Sequence, residues 1–206
     1  MKEHILTVLK KLEKRSRLEE SDQIDVDHDD RMLAITEDTG QFYNLFLKAI
    51  KAKKILEIGT SVGYSTIWFA DAVSENKGKI ISIEQNPSKI ARAKANFQEA
   101  RVDSIIENLQ GKAIQILNDL SGKIKTEQEK FDFVFLDADK ELNMKYFDLV
   151  LPMVKIGGVI GTDNILYPEK FRPIMEKFVK HVKSKPNIQT FTLDLGNGEQ
   201  LTIKTA

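Results

Sequence analysis

The chain has 206 residues and no cysteine, which removes any disulfide framework and any thiolate metal site. It has no excess of either charge, since 31 Lys and Arg balance 31 Asp and Glu. No global field therefore favours nucleic acid or an anionic membrane over other partners. Its histidines are His4, His28 and His181, none in a motif, so no Ser–His–Asp or Cys–His set is discernible. No stretch approaches the roughly 20 consecutive apolar residues that span a bilayer. The start, Met1 to Leu6, lacks the apolar run of a signal peptide. These absences lead to the expectation of a cytoplasmic protein without a membrane partner. The length fits one domain over residues 1–206, with 1–45 as an N-terminal helical extension or cap.

What is present is a regular alternation of helical and strand patterns. Residues 2–20 place Ile5, Val8, Leu9 and Leu12 on one stripe. The polar run Ser21 to Arg31 carries Asp22, Asp25, Asp27, Asp29 and Asp30 around His28. It lacks the central glycine and terminal Glu of a calcium loop and reads as a solvated linker. A helix over 41–50 presents Phe42, Leu45, Phe46 and Ile50. Strands follow at 54–58, 79–84, 105–109, 131–136 and 159–162, with helices between them and a Gly157-Gly158 turn before the fifth. Asn86-Pro87 supplies an N-cap and first-turn proline. After a helix holding Phe171, Ile174, Met175, Phe178 and Val182, two strand-like runs, 188–195 and 199–204, flank the hairpin signal Gly196-Asn197-Gly198. The expected fold is α/β: a Rossmann-like, doubly wound, mostly parallel seven-stranded sheet with an antiparallel C-terminal hairpin and helices on both faces.

In such sheets ligands bind beyond the carboxyl ends of the strands. After the first strand, Gly59 and Gly63 allow close backbone approach, and the helix opening at Tyr64-Ser65 offers N–H groups to an anion, with the Ser65 hydroxyl beside them. A dinucleotide fingerprint would want glycine at 61 and 64, where Ser61 and Tyr64 stand, which counts against NAD. Glu84, ending the second strand, is placed to accept both hydroxyls of a ribose. Beyond the fourth and fifth strands, Asp137, Asp163 and Asn164 are three oxygen donors able to converge on one hard divalent cation, Mg²⁺ or else Mn²⁺ or Ca²⁺.

Together, Gly40-Gln41-Phe42, Leu56-Glu57-Ile58-Gly59 with Gly63-Tyr64-Ser65, Glu84, Gly111-Lys112-Ala113, Phe135 to Lys140 and Gly157 to Asn164 resemble the class I S-adenosylmethionine-dependent methyltransferases. The resemblance is to the cation-dependent O-methyltransferases of the caffeoyl-CoA and catechol type, in a compact prokaryotic form, and it covers about residues 40–204. It implies that Glu57, Gly59, Thr60, Gly63 and Ser65 hold the methionine end of S-adenosylmethionine, Glu84 the ribose, and Ala113 and Asp139 the region of the adenine, with Asp137 shared between cofactor and metal. It also implies Lys140 as the group that takes the substrate proton.

The acceptor implied is a small catechol-like or hydroxycinnamoyl-type hydroxyl compound. A related branch acts on 5-hydroxyuridine in tRNA, for which Lys170, Arg172, Lys177, Lys180, Lys183 and Lys185 offer a phosphate-contacting surface. A non-catalytic cofactor-binding module and an NAD-dependent oxidoreductase are the alternatives from other classes. The chain runs directly from Asn164 through Ile165 to Pro168 into a helix, where caffeoyl-CoA enzymes carry an insertion, so an open acceptor pocket is expected. The N-terminal stripe, with no partner evident in the sheet core, points to a homodimer contact or a lid.

Overall fold

The computed structural model describes residues 1–206. Short runs rich in Ile, Leu, Val and Phe form strands β1 (Lys54–Ile58), β2 (Lys79–Glu84), β3 (Ile106–Gln110), β4 (Phe131–Leu136), β5 (Val154–Thr162), β6 (Ile188–Leu193) and β7 (Glu199–Lys204). They make a single sheet in the order β3-β2-β1-β4-β5-β7-β6. β1 to β5 pair in parallel, and β7 runs antiparallel between β5 and β6. The helices are α1 (Glu3–Glu20), α2 (Glu37–Ala49), α3 (Tyr64–Ser74), α4 (Pro87–Glu99), α5 (Ala113–Lys123), α6 (Asn143–Val150) and α7 (Arg172–Lys183). None is long and apolar enough to cross a membrane.

The period of two along each strand divides the core. Ile55, Phe133, Phe135 and Val159 face a cluster built with α1 to α4. Leu56, Ile58, Val134, Leu136 and Ile160 face a cluster shared with α5, α6 and α7. Helix α3 is buried from Tyr64 through Val73, as a helix apolar all round must be. An aromatic wedge of Tyr43, Phe69, Phe133 and Phe135, with ring centroids 5.1–6.0 Å apart in the Tyr43–Phe135 and Tyr43–Phe69 pairs, fills the first cluster. Each edge-on pair is worth about 0.5–1.5 kcal/mol beyond its buried area.

Three expectations change. The stripe of α1 is used within the chain: Ile5, Val8, Leu9 and Leu12 are buried in the first cluster, which removes the reason for assigning it to a homodimer contact or a lid. On α2 the inward face is Thr39, Gly40, Tyr43, Asn44 and Leu47, whereas Leu45 is 69% exposed. The polar members of that face are admitted because they are paired, Asn44 donating to Trp68 O and to Asp71, each at 2.9 Å. Gly157-Gly158 is not a turn ahead of the fifth strand but a bulge inside β5. Phe131 pairs with Val154 and Phe133 with Val159, so the β5 residues between must loop out, and Gly157 takes a positive φ of 81° there. The polar linker is pinned as well, since Asn86 Nδ2 donates to Asp29 O and Arg92 to Asp30 O.

Candidate active site

The sheet order reverses at β1, whose neighbours β2 and β4 lead outwards in opposite directions, and such a switch point opens a crevice at the strand ends. Backbone bonds tie the exits together: Gly59 N–H donates to Ile83 O at 3.0 Å, Asp137 N–H to Ile58 O at 2.9 Å and Asp163 N–H to Leu136 O at 3.2 Å. Gly59 has φ +103°, and a Cβ on it would lie 2.0 Å from Asp137 O. Only glycine lets the turn after β1 pass that close to the chain leaving β4. Gly63, φ +88°, precedes the first turn of α3, where a Cβ would strike the Phe97 ring at 2.3 Å.

Glu57 ends inside this turn, fully buried. Its carboxylate accepts from the hydroxyls of Ser65 and Thr66, each at 2.5 Å, and from Ser82. Burial pushes its pKa up to about 7, against the lowering effect of those hydroxyls. The geometry makes Glu57 the anchor of the turn and of Ser65. Thr60 is likewise buried, its hydroxyl bonded to Ser82. Glu84 accepts from Ser61 N–H at 2.9 Å, Gln85 N–H at 2.8 Å and Asn86 N–H at 2.9 Å. The Ser61 hydroxyl reaches back to Met32 O, strapping the segment after α1 to the glycine turn.

Beyond β4, Asp137 Oδ1 accepts from Lys140 Nζ at 2.7 Å, and the lysine is only 9% exposed. Asp139 is exposed and caps the turn that follows, accepting from Glu141 N–H at 3.0 Å. Ala113 opens α5 half-buried. Beyond β5, Asp163 is buried, and Asn164, in the left-handed region at φ +64°, donates its N–H to Asp163 Oδ1 at 2.6 Å. Burial and then the charge of Asp137 raise the Asp163 pKa to about 6, while Lys140 pulls it down. The donor set fits a hard cation: two carboxylates and an amide, all oxygen, with a buried ammonium already neutralising one of them. No three Asp, Glu, His or Cys side chains gather around one point, so such a site rests on the two carboxylates completed by Asn164.

Sequence reasoning did not single out Ser82, Thr66, Tyr43 or Glu199. Tyr43 O–H donates to Glu199 Oε2 at 2.6 Å, both side chains being fully buried. The alternation of β7 gave no sign that its first residue is an internal acid.

A seven-stranded sheet of this order, with a glycine turn after β1, an acid closing β2 and oxygen donors beyond β4 and β5, defines a class I methyltransferase. Comparison with known proteins narrows the class. A family model described as O-methyltransferase matches residues 9–205. Caffeoyl-CoA O-methyltransferase 1 of Eucalyptus globulus is 32% identical over 196 residues, 88% of this chain and 78% of that one. Catechol O-methyltransferase of Niastella koreensis is 37% identical over 134 residues, 65% of this chain and 59% of that one. The O-methyltransferase from Bacillus cereus in complex with SAH superposes with a TM-score of 0.80 at 24% identity, covering 97% of this chain and 91% of that one. The chain belongs to the O-methyltransferase family, whose methyl donor is S-adenosylmethionine.

Proposed function

We propose that the chain methylates one hydroxyl of a catechol-like or hydroxycinnamoyl-type small molecule, with a divalent cation, Mg²⁺ by preference, held by Asp137, Asp163 and Asn164. The observation that carries this reading is the contact between the two halves of the site. The missing Cβ of Gly59 leaves room for Asp137 O within 2.0 Å of where it would stand, so the donor turn and the oxygen cluster form one crevice. The likeness to caffeoyl-CoA and catechol O-methyltransferases supports the acceptor class.

In this reading Glu57 and Ser65 set the glycine turn around the methionine end, Gly59, Thr60 and Gly63 supply its backbone, and Glu84 takes the ribose. Ala113 and Asp139 border the adenine. Donor and cation, when bound, supply an electrophilic methyl and a Lewis acid that acidifies the acceptor hydroxyl. Lys140 Nζ is the group that would take the hydroxyl proton when the methyl is transferred to that oxygen. Asp137 holds that nitrogen at 2.7 Å. Ile165 to Tyr167 are pinned to the hairpin turn through Gly198 O and Asn197 O, which leaves the acceptor side bordered by a short connection rather than a long loop.

The test is transfer of labelled methyl to a panel of catechols, caffeoyl esters and hydroxylated tRNA, with and without EDTA. Turnover of the small phenols that EDTA abolishes, and that Asp163→Ala loses while still binding S-adenosylmethionine, supports the reading. A rate untouched by chelation refutes the cation's role, and methylation of the tRNA alone refutes the acceptor class.

A further inference from the structure

Glu19 lies in the last turn of α1 with its carboxyl buried, only 3% exposed. An acid is doubly out of place there: it meets the negative end of the helix dipole, and an internal carboxylate without partners is costly. Three donors meet it. Met32 N–H donates to Oε2 at 2.7 Å, Arg15 Nε to Oε1 at 2.8 Å and Arg92 Nη2 to Oε1 at 3.3 Å. Burial raises its pKa, but Met32 N–H, Arg15 and Arg92 together outweigh burial and hold the carboxyl below its ordinary value. Two of these partners belong to other parts of the chain, Arg92 to α4 and Met32 to the segment between α1 and α2. Glu19 is therefore a junction between elements.

The junction leads to the glycine turn. Met32 gives its N–H to Glu19, and its carbonyl accepts from the Ser61 hydroxyl, so one residue links the buried acid to the chain leaving β1. Ser61 N–H is bonded in turn to Glu84. The same segment is fastened at the exit of β2. Arg92 Nη1 donates to Asp30 O at 2.6 Å, and Asn86 Nδ2 to Asp29 O and Asp30 Oδ1, each at 3.0 Å. Residues 29–32 thus strap the ends of β1 and β2 together. The backbone on both sides of the Met32–Ser61 link is constrained: Leu33 and Ser61 take positive φ of 44° and 47°. Neither is glycine, and Leu33, 69% exposed, gains little packing in return. Such conformations persist only where the surroundings over-determine them.

We propose that Glu19 is a positioning residue for S-adenosylmethionine: through Met32 it holds Ser61, and with it the glycine turn and Glu84, in the arrangement that binds the donor. The inference rests on the assignment of that turn and of Glu84 to the donor. Apparent affinity falls in proportion to the fraction of molecules that keep a binding-competent arrangement.

The experiment is calorimetric titration of the purified chain with S-adenosylmethionine, with folding of each variant checked by urea denaturation. Glu19→Leu leaves Met32 N–H without its acceptor and is expected to lose at least about tenfold in donor affinity. Glu19→Gln keeps an acceptor for that N–H and stays within about threefold of the parent. Arg92→Met, at a partly exposed position, weakens donor binding in the same direction and serves if the leucine variant does not fold. Ser61→Ala also loses affinity, and adding it to Glu19→Leu costs less than about threefold more, because both changes break one path. Losses that multiply in the double variant would show that Glu19 supports the fold independently of the turn, and would overturn the inference. Parent-like affinity in folded Glu19→Leu, Arg92→Met or Ser61→Ala overturns it as well, as does a glutamine variant as weak as the leucine one, which would make charge and not the Met32 bond the operative property. Absence of donor binding in the parent chain itself would sink the donor site, and this inference with it.

Discussion

Replacing Glu57 by Gln tests the reading of the glycine turn through its dependence on pH. Glu57 is wholly internal, and burial, the largest influence on it, raises its pKa from 4.5 to about 7. A carboxyl whose pKa is higher folded than unfolded stabilises the fold fully below the unfolded value. That contribution is lost as pH rises to and through the folded value, because the folded state binds more protons across that window. Between pH 5 and pH 8 the loss amounts to about 2–3 kcal/mol, the rest of the roughly 3.5 kcal/mol set by the gap between 4.5 and about 7 falling below pH 5. Glutamine does not titrate, so the difference in unfolding free energy between Glu57→Gln and the parent should move by that amount in favour of the variant from pH 5 to pH 8. Every other acid is common to both chains and cancels. Urea denaturation without donor or cation, at several pH values with the slope held common, measures it. A difference that is flat with pH would show that Glu57 ionises as freely inside the fold as outside, and that its three hydroxyl partners, Ser65, Thr66 and Ser82, fully offset its burial.

Two further outcomes follow from the geometry. Gly59→Ala places a methyl 2.0 Å from a backbone carbonyl at φ +103°, where neither partner is a flexible side-chain end. It should destabilise by more than about 4 kcal/mol and abolish S-adenosylmethionine binding; a loss under about 1 kcal/mol in urea would refute the close approach. Lys140→Ala should lower kcat by about 10²–10⁴-fold while Mn²⁺ and donor affinities persist, and a rate within threefold of the parent would remove Lys140 from the chemistry.

The strand ends were readable because each motif residue sits where a simple rule puts it. β1, β2, β4 and β7 begin and end at the positions that their apolar runs indicate, and Gly59, Glu84, Asp137 and Asp163 each fall at or just past a strand end. Misreadings arose where polar groups are buried by pairing. Of the α2 stripe Phe42, Leu45, Phe46 and Ile50, Phe42 and Phe46 pack against the first cluster while Leu45 and Ile50 are exposed, and hydrogen bonds to Trp68 O, Asp71 and Glu199 take Asn44 and Tyr43 inside. Hydrophobic periodicity carries no information about such partners, which lie 24, 27 and 156 residues away. The bulge at Gly157-Gly158 was hidden for a related reason: glycine marks a break, but only the pairing of Phe131 with Val154 shows that the strand resumes on both sides of it.

The same blindness explains why the oxygen donors beyond β4 and β5 were picked out while Thr66, Ser82, Tyr43 and Glu199 were not. Asp137, Asp163 and Asn164 stand out because acids and amides just past strand ends depart from the apolar background. Glu57 and Glu199 are acids placed where the strand pattern calls for apolar side chains, and each is tolerated only because hydroxyls from other elements meet it. Four carboxyls, those of Glu57, Asp137, Asp163 and Glu199, thus occupy one face of the sheet above an aromatic wedge that carries no positive charge. Lys140 and the hydroxyl groups offset part of that repulsion. The remainder makes this corner of the fold less stable than an apolar one of equal volume, and a bound dication is the natural complement to it. A crevice of that electrostatic character, closed on one side by the glycine turn, favours a cationic donor and a polyvalent cation over the neutral product of methyl transfer.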